Sequence, residues 1–270
     1  MQFDNMIDMH LHSNNSPDGR DTVKSICECA IKQNLKIIAI TDHCEAQDYY
    51  KDNFNEKIAQ SCSDIEDAQK ELKGKLMILK GCELGQPTQN LEYADLLLNL
   101  SDFDYILASL HNLKNHEDFY YMNFENENID IILTEYFEEL LQIAQWNKFD
   151  VLAHLTYPLR YIVGRSKKTV QLSKYYKIID KILLTIIKNE KGLEINVSGF
   201  RGPLNDSMPG FSVLKRYNDL GGKIVTIGTD SHKTEYMGRH LKRGMKMLVD
   251  AGFNEIFYYV KRQPKSIKIN

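Results

Sequence analysis

Two histidines, His10 and His12, stand one residue apart at the end of a short apolar run, and a polar loop leads from them to Asp18-Gly19. Side chains at i and i+2 of a strand share a face, so both imidazoles can grip one ion. Comparable groups close later apolar runs: Thr41-Asp42-His43, Gly81-Cys82-Glu83, Ser109-Leu110-His111, Ala153-His154, Glu194-Ile195-Asn196 and Gly228-Thr229-Asp230-Ser231-His232. Six of the eight histidines fall at such ends. Asp230 and His232 repeat the i, i+2 spacing and are expected to act as His10 and His12 do. Imidazole and carboxylate are the ligand types that Zn²⁺, Mn²⁺ and Fe²⁺ take. The metal candidates are His10, His12, Asp18, His43, Glu83, His111, His154, Asp230 and His232. One catalytic ion takes about three protein ligands, so this set implies two or three divalent ions, with Glu83 as the natural bridge. Two ions about 3.5–4 Å apart lower the pKa of a shared water and clamp a phosphoryl group. His116 and His240 fall outside the pattern and are read as non-ligands. Cys44 and Cys82 are read as small buried apolar residues.

These side chains need a scaffold that aims them at one place. Apolar runs predict strands at 6–10, 36–41, 76–82, 105–109, 151–154, 193–197 and 223–228, with a further one at 255–260. Helical patterns lie between them at 22–33, 64–72, 130–146, 170–188, 211–220 and 239–251. The alternation predicts parallel βαβ units, and seven or eight of them in 270 residues predict a closed barrel rather than an open doubly wound sheet. No GxGxxG follows the first strand. On a parallel barrel all the strand C-termini converge on one face. The polar stretches 43–63 and 112–128 are expected beside that face as lids or substrate loops. The Lys-rich end, KRQPKSIKIN, is expected to be a solvated tail. One domain, 1–270, is the expectation.

Composition narrows the classes. A net charge of -3 and a charged fraction of 26% lack the basic excess of a general nucleic-acid binder. No apolar run approaches the ~20 residues that span a bilayer. Five cysteines, an odd number without a CxxC pair, argue against a disulfide framework. With no signal-peptide pattern at residue 1, the expected location is the cytoplasm.

The motifs HLHS at 10–13, TDH at 41–43, CELG at 82–85, SLH at 109–111, AH at 153–154 and GTDSH at 228–232 resemble those of the PHP (polymerase and histidinol phosphatase) family. The resemblance spans almost the whole chain. It implies an α/β fold, a distorted (β/α)7 barrel in a single domain, with a trinuclear metal centre. It also implies a ligand set: His10, His12, Glu83 and Asp230 for the first ion, Glu83, His111 and His154 for the second, Asp18, His43 and His232 for the third. Asp18 stands where some family members have His.

Within the family the chain is most similar to histidinol-phosphate phosphatases. Its length is that expected of a free-standing barrel, and two arginines follow strand ends: Arg160 in HLTYPLRY and Arg201 in INVSGFRG. The planar guanidinium fork suits a phosphate; Arg165 is a secondary candidate. The implied reaction is hydrolysis of L-histidinol phosphate to L-histidinol and phosphate, a step of histidine biosynthesis, through attack of a hydroxide bridging two ions. The third ion with Arg160 and Arg201 would neutralise the phosphoryl oxygens. His43, Asp230 and His232 are the candidates for aiding protonation of the leaving oxygen, a role that competes with ligation. Glu117 and Asp118 are candidates for the amine and imidazole. The expected partner is thus a small phosphorylated substrate, with no nucleic acid and no membrane. Two alternatives share the metal ligands. A phosphoesterase acting on nucleotides or nucleic acid ends should show a basic groove with stacking aromatics. A non-catalytic metal-binding barrel should have lost ligands, and this chain keeps all nine.

Overall fold

A computed structural model describes residue 3 and residues 6–48 and 51–269. Eight strands run parallel: β1 (Ile7–Leu11), β2 (Ile37–Ile40), β3 (His43–Glu45), β4 (Met77–Gly85), β5 (Tyr105–Ser109), β6 (Val151–Leu152), β7 (Gly192–Asn196) and β8 (Val225–Gly228). Seven of them form the wall in the order β1-β2-β4-β5-β6-β7-β8, and β3 extends it above β2 by pairing with β4. The two edges meet at the top. Leu11 bridges Ser231, the His12 N–H donates to Ser231 O at 3.0 Å, and the Asp230 N–H donates to His10 O at 2.8 Å. The result is the nearly closed (β/α)7 barrel that the motifs imply.

The strands are apolar on both faces because helices cover the outside while side chains fill the inside. The covering helices are α1 (Val23–Lys32), α2 (Phe54–Glu71), α3 (Leu91–Leu98), α4 (Ile129–Trp146), α5 (Tyr176–Lys188), α6 (Phe211–Asp219) and α7 (Leu241–Ala251). In α4, Ile132, Leu133, Tyr136, Phe137 and Leu140 are buried at three- and four-residue steps. Asn128 caps its start by accepting from the Asp130 and Ile131 N–H groups.

Several sequence expectations change. The strand at 255–260 is not a barrel strand: β9 (Glu255–Val260) pairs antiparallel with β10 (Gln263–Lys268). The expected solvated tail is therefore the second arm of a hairpin, although its side chains are largely exposed. The helix expected at 64–72 begins at Phe54, since Phe54, Ile58, Cys62 and Ile65 form one buried stripe diluted by polar neighbours. The stretch 43–63 is thus not a loop but β3, a 3-10 turn at Ala46–Asp48 and the first half of α2, with 49–50 outside the described residues. Helix α3 was not expected from the sequence, and β6 stops at Leu152, leaving His154 beyond the strand.

The hairpin closes the barrel floor. Asp104 and Asp150 directly precede β5 and β6. Asp104 Oδ1 accepts from the Lys261 N–H and its carbonyl from the Arg262 N–H. The Arg262 guanidinium pairs with the Asp150 carboxylate, and Tyr259 donates to Asp150 O.

Candidate active site

At the opposite, C-terminal face, Glu83 is the hub. It lies on β4, fully buried, and five imidazoles surround it. Its Oε2 faces His10 Nε2 at 3.1 Å, His43 Nδ1 at 3.0 Å and His12 Nε2 at 3.5 Å. Its Oε1 faces His154 Nε2 at 2.8 Å and His111 Nε2 at 3.1 Å. The two carboxylate oxygens thus address different groups of rings, as a bridging ligand must. Asp230 Oδ1 lies 3.5 Å from His12 Nε2 and 3.6 Å from His232 Nδ1. Asp18 Oδ2 lies 3.1 Å from His232 Nε2, and Asp18 Oδ1 3.8 Å from His43 Nε2. All nine sequence candidates come together.

Glycines make the approach possible. A Cβ on Gly228 would stand 2.3 Å from His10 Cβ, and one on Gly19 would stand 1.8 Å from Ser13 O. The second contact lets the 13–19 loop fold back and bring Asp18 to the cluster.

The hydrogen bonds define which ring nitrogens are free. His10 Nδ1 lies 2.7 Å from Glu194 Oε1, and His111 Nδ1 3.0 Å from Glu45 Oε1. A carboxylate only accepts, so each Nδ1 carries a proton, and in the neutral form of each ring the lone pair sits on Nε2, the nitrogen turned toward Glu83. Ser16 Oγ donates to Asp42 Oδ1 at 2.8 Å, so it accepts from His12 Nδ1 at 3.2 Å. His12 Nε2 is then bare as well. The buried atoms His10 Nε2, His12 Nε2, His43 Nδ1 and Glu83 Oε2 make no hydrogen bond. Such orphaned acceptors are costly unless they ligate something. Within 4.8 Å they gather as His10-His12-Glu83, His43-Glu83-His111 and His12-His43-His232. A divalent cation fits this donor set, and more than one is accommodated. The geometry also places His43 beside Glu83 and His111, where the family pattern grouped it only with Asp18 and His232.

Without a cation the carboxylates hold protons on the rings: burial works to lower His10 and His111, but Glu194 and Glu83 raise the first, and Glu45 and Glu83 the second, well above the ordinary imidazole value, so a cation binding there displaces protons. Burial works to raise the Glu83 carboxyl, but the imidazoles of His10, His111 and His43 outweigh it and hold it well below the usual carboxylate range. Burial, with His232 and His43 as neighbours, holds His12 well below its ordinary value and therefore neutral. A neutral imidazole is the ligand form.

Several contributing residues escaped the sequence reading. Glu194, on β7, fixes His10 and also accepts from the His154 N–H at 2.8 Å. Glu45 fixes His111. The available signal was spacing: His43 and Glu45 repeat the i, i+2 pattern on β3. Asp42 accepts from the Ser13 N–H and hydroxyl and from Ser61 Oγ, each at 2.6 Å, tying the HLHS loop to α2.

Two expectations are corrected. The Asp230/His232 pair does not lie on a strand: β8 ends at Gly228, and Asp230 has φ 50°. A left-handed turn aims its carboxylate, rather than strand alternation. Arg165 is not a free phosphate ligand, because its guanidinium donates to the carbonyls of Phe119 at 3.3 Å and Met122 at 2.6 Å, pinning the 112–128 loop. That loop contains no helix or strand, and it walls a cavity of about 940 Å³ over the cluster. Arg160 lines this cavity, with Nη1 3.9 Å from Asp230 Oδ2. Arg201 lines an adjoining cavity of about 710 Å³ and donates to Asp230 O at 3.0 Å and Ser231 Oγ at 3.3 Å. His240 caps the start of α7 and His116 is exposed at the cavity rim, both apart from the cluster. The five cysteines are free thiols, Cys44 and Cys82 fully buried.

The PHP domain family matches residues 8–198. The chain belongs to the PHP domain family. A probable histidinol-phosphatase of Thermotoga maritima is 32% identical to this PHP chain, over 92% of it and 93% of the relative. A histidinol-phosphatase of Lactococcus lactis is 28% identical over 97% and 98%. Among solved structures, the histidinol phosphate phosphatase of Lactococcus lactis, complexed with zinc, L-histidinol and phosphate, has a TM-score of 0.80 at 24% identity, covering 96% of this chain and 98% of that one. A solved structure from Listeria monocytogenes has a TM-score of 0.71 at 16% identity, covering 88% of this chain and 99% of that one. No helix among the described residues is long and apolar enough to cross a membrane.

Proposed function

We propose that the chain is a metal-dependent phosphomonoesterase that hydrolyses L-histidinol phosphate to L-histidinol and phosphate. The observation that carries this reading is the Glu83-centred cluster, whose bare, buried ligand atoms lie under a cavity bearing Arg160. The histidinol-phosphatase names of full-length relatives supply the substrate.

Two or three divalent ions, Zn, Mn or Fe, fit. His10, His12, Glu83 and Asp230 would hold one, Glu83, His111 and His154 a second, and Asp18, His43 and His232 a third. When bound, such ions lower the pKa of water and offset phosphoryl charge. Around them the protein supplies position and electrostatics. Glu194, Glu45 and Ser16 lock the rings so that each bare nitrogen points inward. Arg160 binds phosphoryl oxygens from the cavity wall. Arg201 holds the Asp230 turn through its carbonyl and Ser231. His43, Asp230 and His232 line the same cavity, near enough to steer a proton to the leaving oxygen. The barrel, 1–270, works as one domain in the cytoplasm on a small phosphorylated substrate, not on nucleic acid.

The test is turnover of histidinol phosphate by purified protein carrying two or more equivalents of metal, measured by phosphate release. Metal-loaded protein that hydrolyses a nucleotide panel but not histidinol phosphate would sink the substrate assignment and leave the fold intact.

A further inference from the structure

The cavity over the metal cluster is lined by groups of opposite charge, among them Arg160 and, in the 112–128 loop, Asp118. Tyr157 lies between them: its ring centroid is 6.0 Å from the Arg160 guanidinium carbon, and its hydroxyl donates to Asp118 Oδ1 at 3.3 Å. The same Tyr157 ring packs against His154 at 4.9 Å and His111 at 5.2 Å between centroids. Asp118 is therefore one tyrosine away from the metal-binding rings, at a fixed place.

Its carboxylate is held by one oxygen. Oδ1 accepts from the Tyr120 N–H at 2.6 Å and from Tyr157, while Tyr161 in turn donates to Tyr157 at 2.9 Å. Oδ2 makes none of these bonds. The residue is half-buried, whereas Glu117 beside it is exposed. The loop itself is pinned by Arg165. A negative oxygen is thus presented on a rigid backbone, with its partner oxygen already occupied.

Histidinol phosphate is bipolar. Its phosphate is anionic, and its primary amine, two carbons from the ester oxygen, is cationic throughout the neutral range. The imidazole near its ordinary pKa is largely neutral there. Deepening the functional reading above and resting on it, we infer that Asp118 Oδ2 accepts a charge-assisted hydrogen bond from the substrate ammonium, and that this contact selects amino-alcohol phosphates over phosphomonoesters that carry no ammonium.

The experiment compares three substrates: histidinol phosphate, its deamino analogue 3-(imidazol-4-yl)propyl phosphate, and p-nitrophenyl phosphate, each with wild type and Asp118→Asn. Asparagine keeps the Oδ1 acceptor for Tyr120 and Tyr157 and removes the charge. The expected result is a loss of about 10- to 100-fold in kcat/KM for histidinol phosphate, mostly in KM. The variant should show almost no preference for histidinol phosphate over the deamino analogue, and p-nitrophenyl phosphate turnover should stay within about twofold. A variant that keeps the wild-type preference for the amine overturns the inference. So does an equal loss on all three substrates, which would mean that the carboxylate serves the loop or the cluster. If wild type hydrolyses p-nitrophenyl phosphate but not histidinol phosphate, the functional reading fails, and this inference with it.

Discussion

At the scale of single residues, the site is a problem of lone pairs. An imidazole has two nitrogens, and only the one without a proton can ligate. Two carboxylates and a serine accept from the Nδ1 atoms of His10, His12 and His111, which fixes Nε2 as the nitrogen aimed at the centre and available to a metal once the ring is neutral. Replacing such a partner should therefore loosen metal without removing a ligand. Glu194→Gln removes the charge facing His10 Nδ1. It is expected to weaken metal binding about 10- to 100-fold, measured by titration against a competing chelator, with hydrolysis largely restored at saturating metal. Unchanged affinity would show that His10 orients itself. Glu194 and Glu45 were within reach of the sequence, since both sit at strand ends on the barrel's active face. Nothing in a single sequence separates a carboxylate that binds metal from one that binds a ligand's ring, because the residue type is the same.

At the scale of elements, two contacts decide whether the barrel presents its face correctly. One is the seam where β1 meets the end of β8. Gly228→Ala would place a methyl group against His10 and Glu194 Oε1. It is expected to cost about 1–3 kcal/mol in stability and to lower metal content, read by thermal melting and metal analysis. The other is the C-terminal hairpin on the barrel floor. Burial raises the Asp150 carboxyl above its ordinary value, and the Arg262 guanidinium counters this only in part. For a carboxyl raised by folding, the folded state favours the protonated form. Its stability cost is absent below the unfolded carboxyl value, grows as pH rises toward the folded one and is complete above it. Arg262→Ala raises the folded value further. The variant should be about 2 kcal/mol less stable than wild type at pH 7, with the gap narrowing as pH falls into the acid range. A pH-independent gap in melting temperature would show that Arg262 acts through packing alone. Of this hairpin the sequence showed only the first arm, as a strand at 255–260. Its second arm, QPKSIK, has neither alternation nor apolar bulk, and its pairing is decided by the first arm and by two aspartates more than 100 residues away.

At the scale of the whole molecule, imidazoles from four other strand ends, those of β1, β3, β5 and β6, meet on Glu83, so metal binding and folding share free energy. Removing the ions with a chelator is expected to abolish hydrolysis and lower the melting temperature; at metal 100- to 1,000-fold above Kd the linkage amounts to about 3–4 kcal/mol. Adding back Zn²⁺, Mn²⁺ or Fe²⁺ should restore both, and a melting temperature indifferent to chelation would argue against a metal-linked fold. The sequence by itself determined the barrel, the convergence of nine candidate ligands and the family. Strand periodicity and strand-end chemistry are local properties, and parallel topology forces the ends together. Only the tertiary structure decided how Glu83 divides its oxygens, that the Asp230 turn is left-handed, that Arg165 is a strut, and that Asp118 lines the cavity with one oxygen held by Tyr120 and Tyr157. Those outcomes depend on which atoms meet across long stretches of chain. Residue type and spacing carry no record of that until the barrel closes.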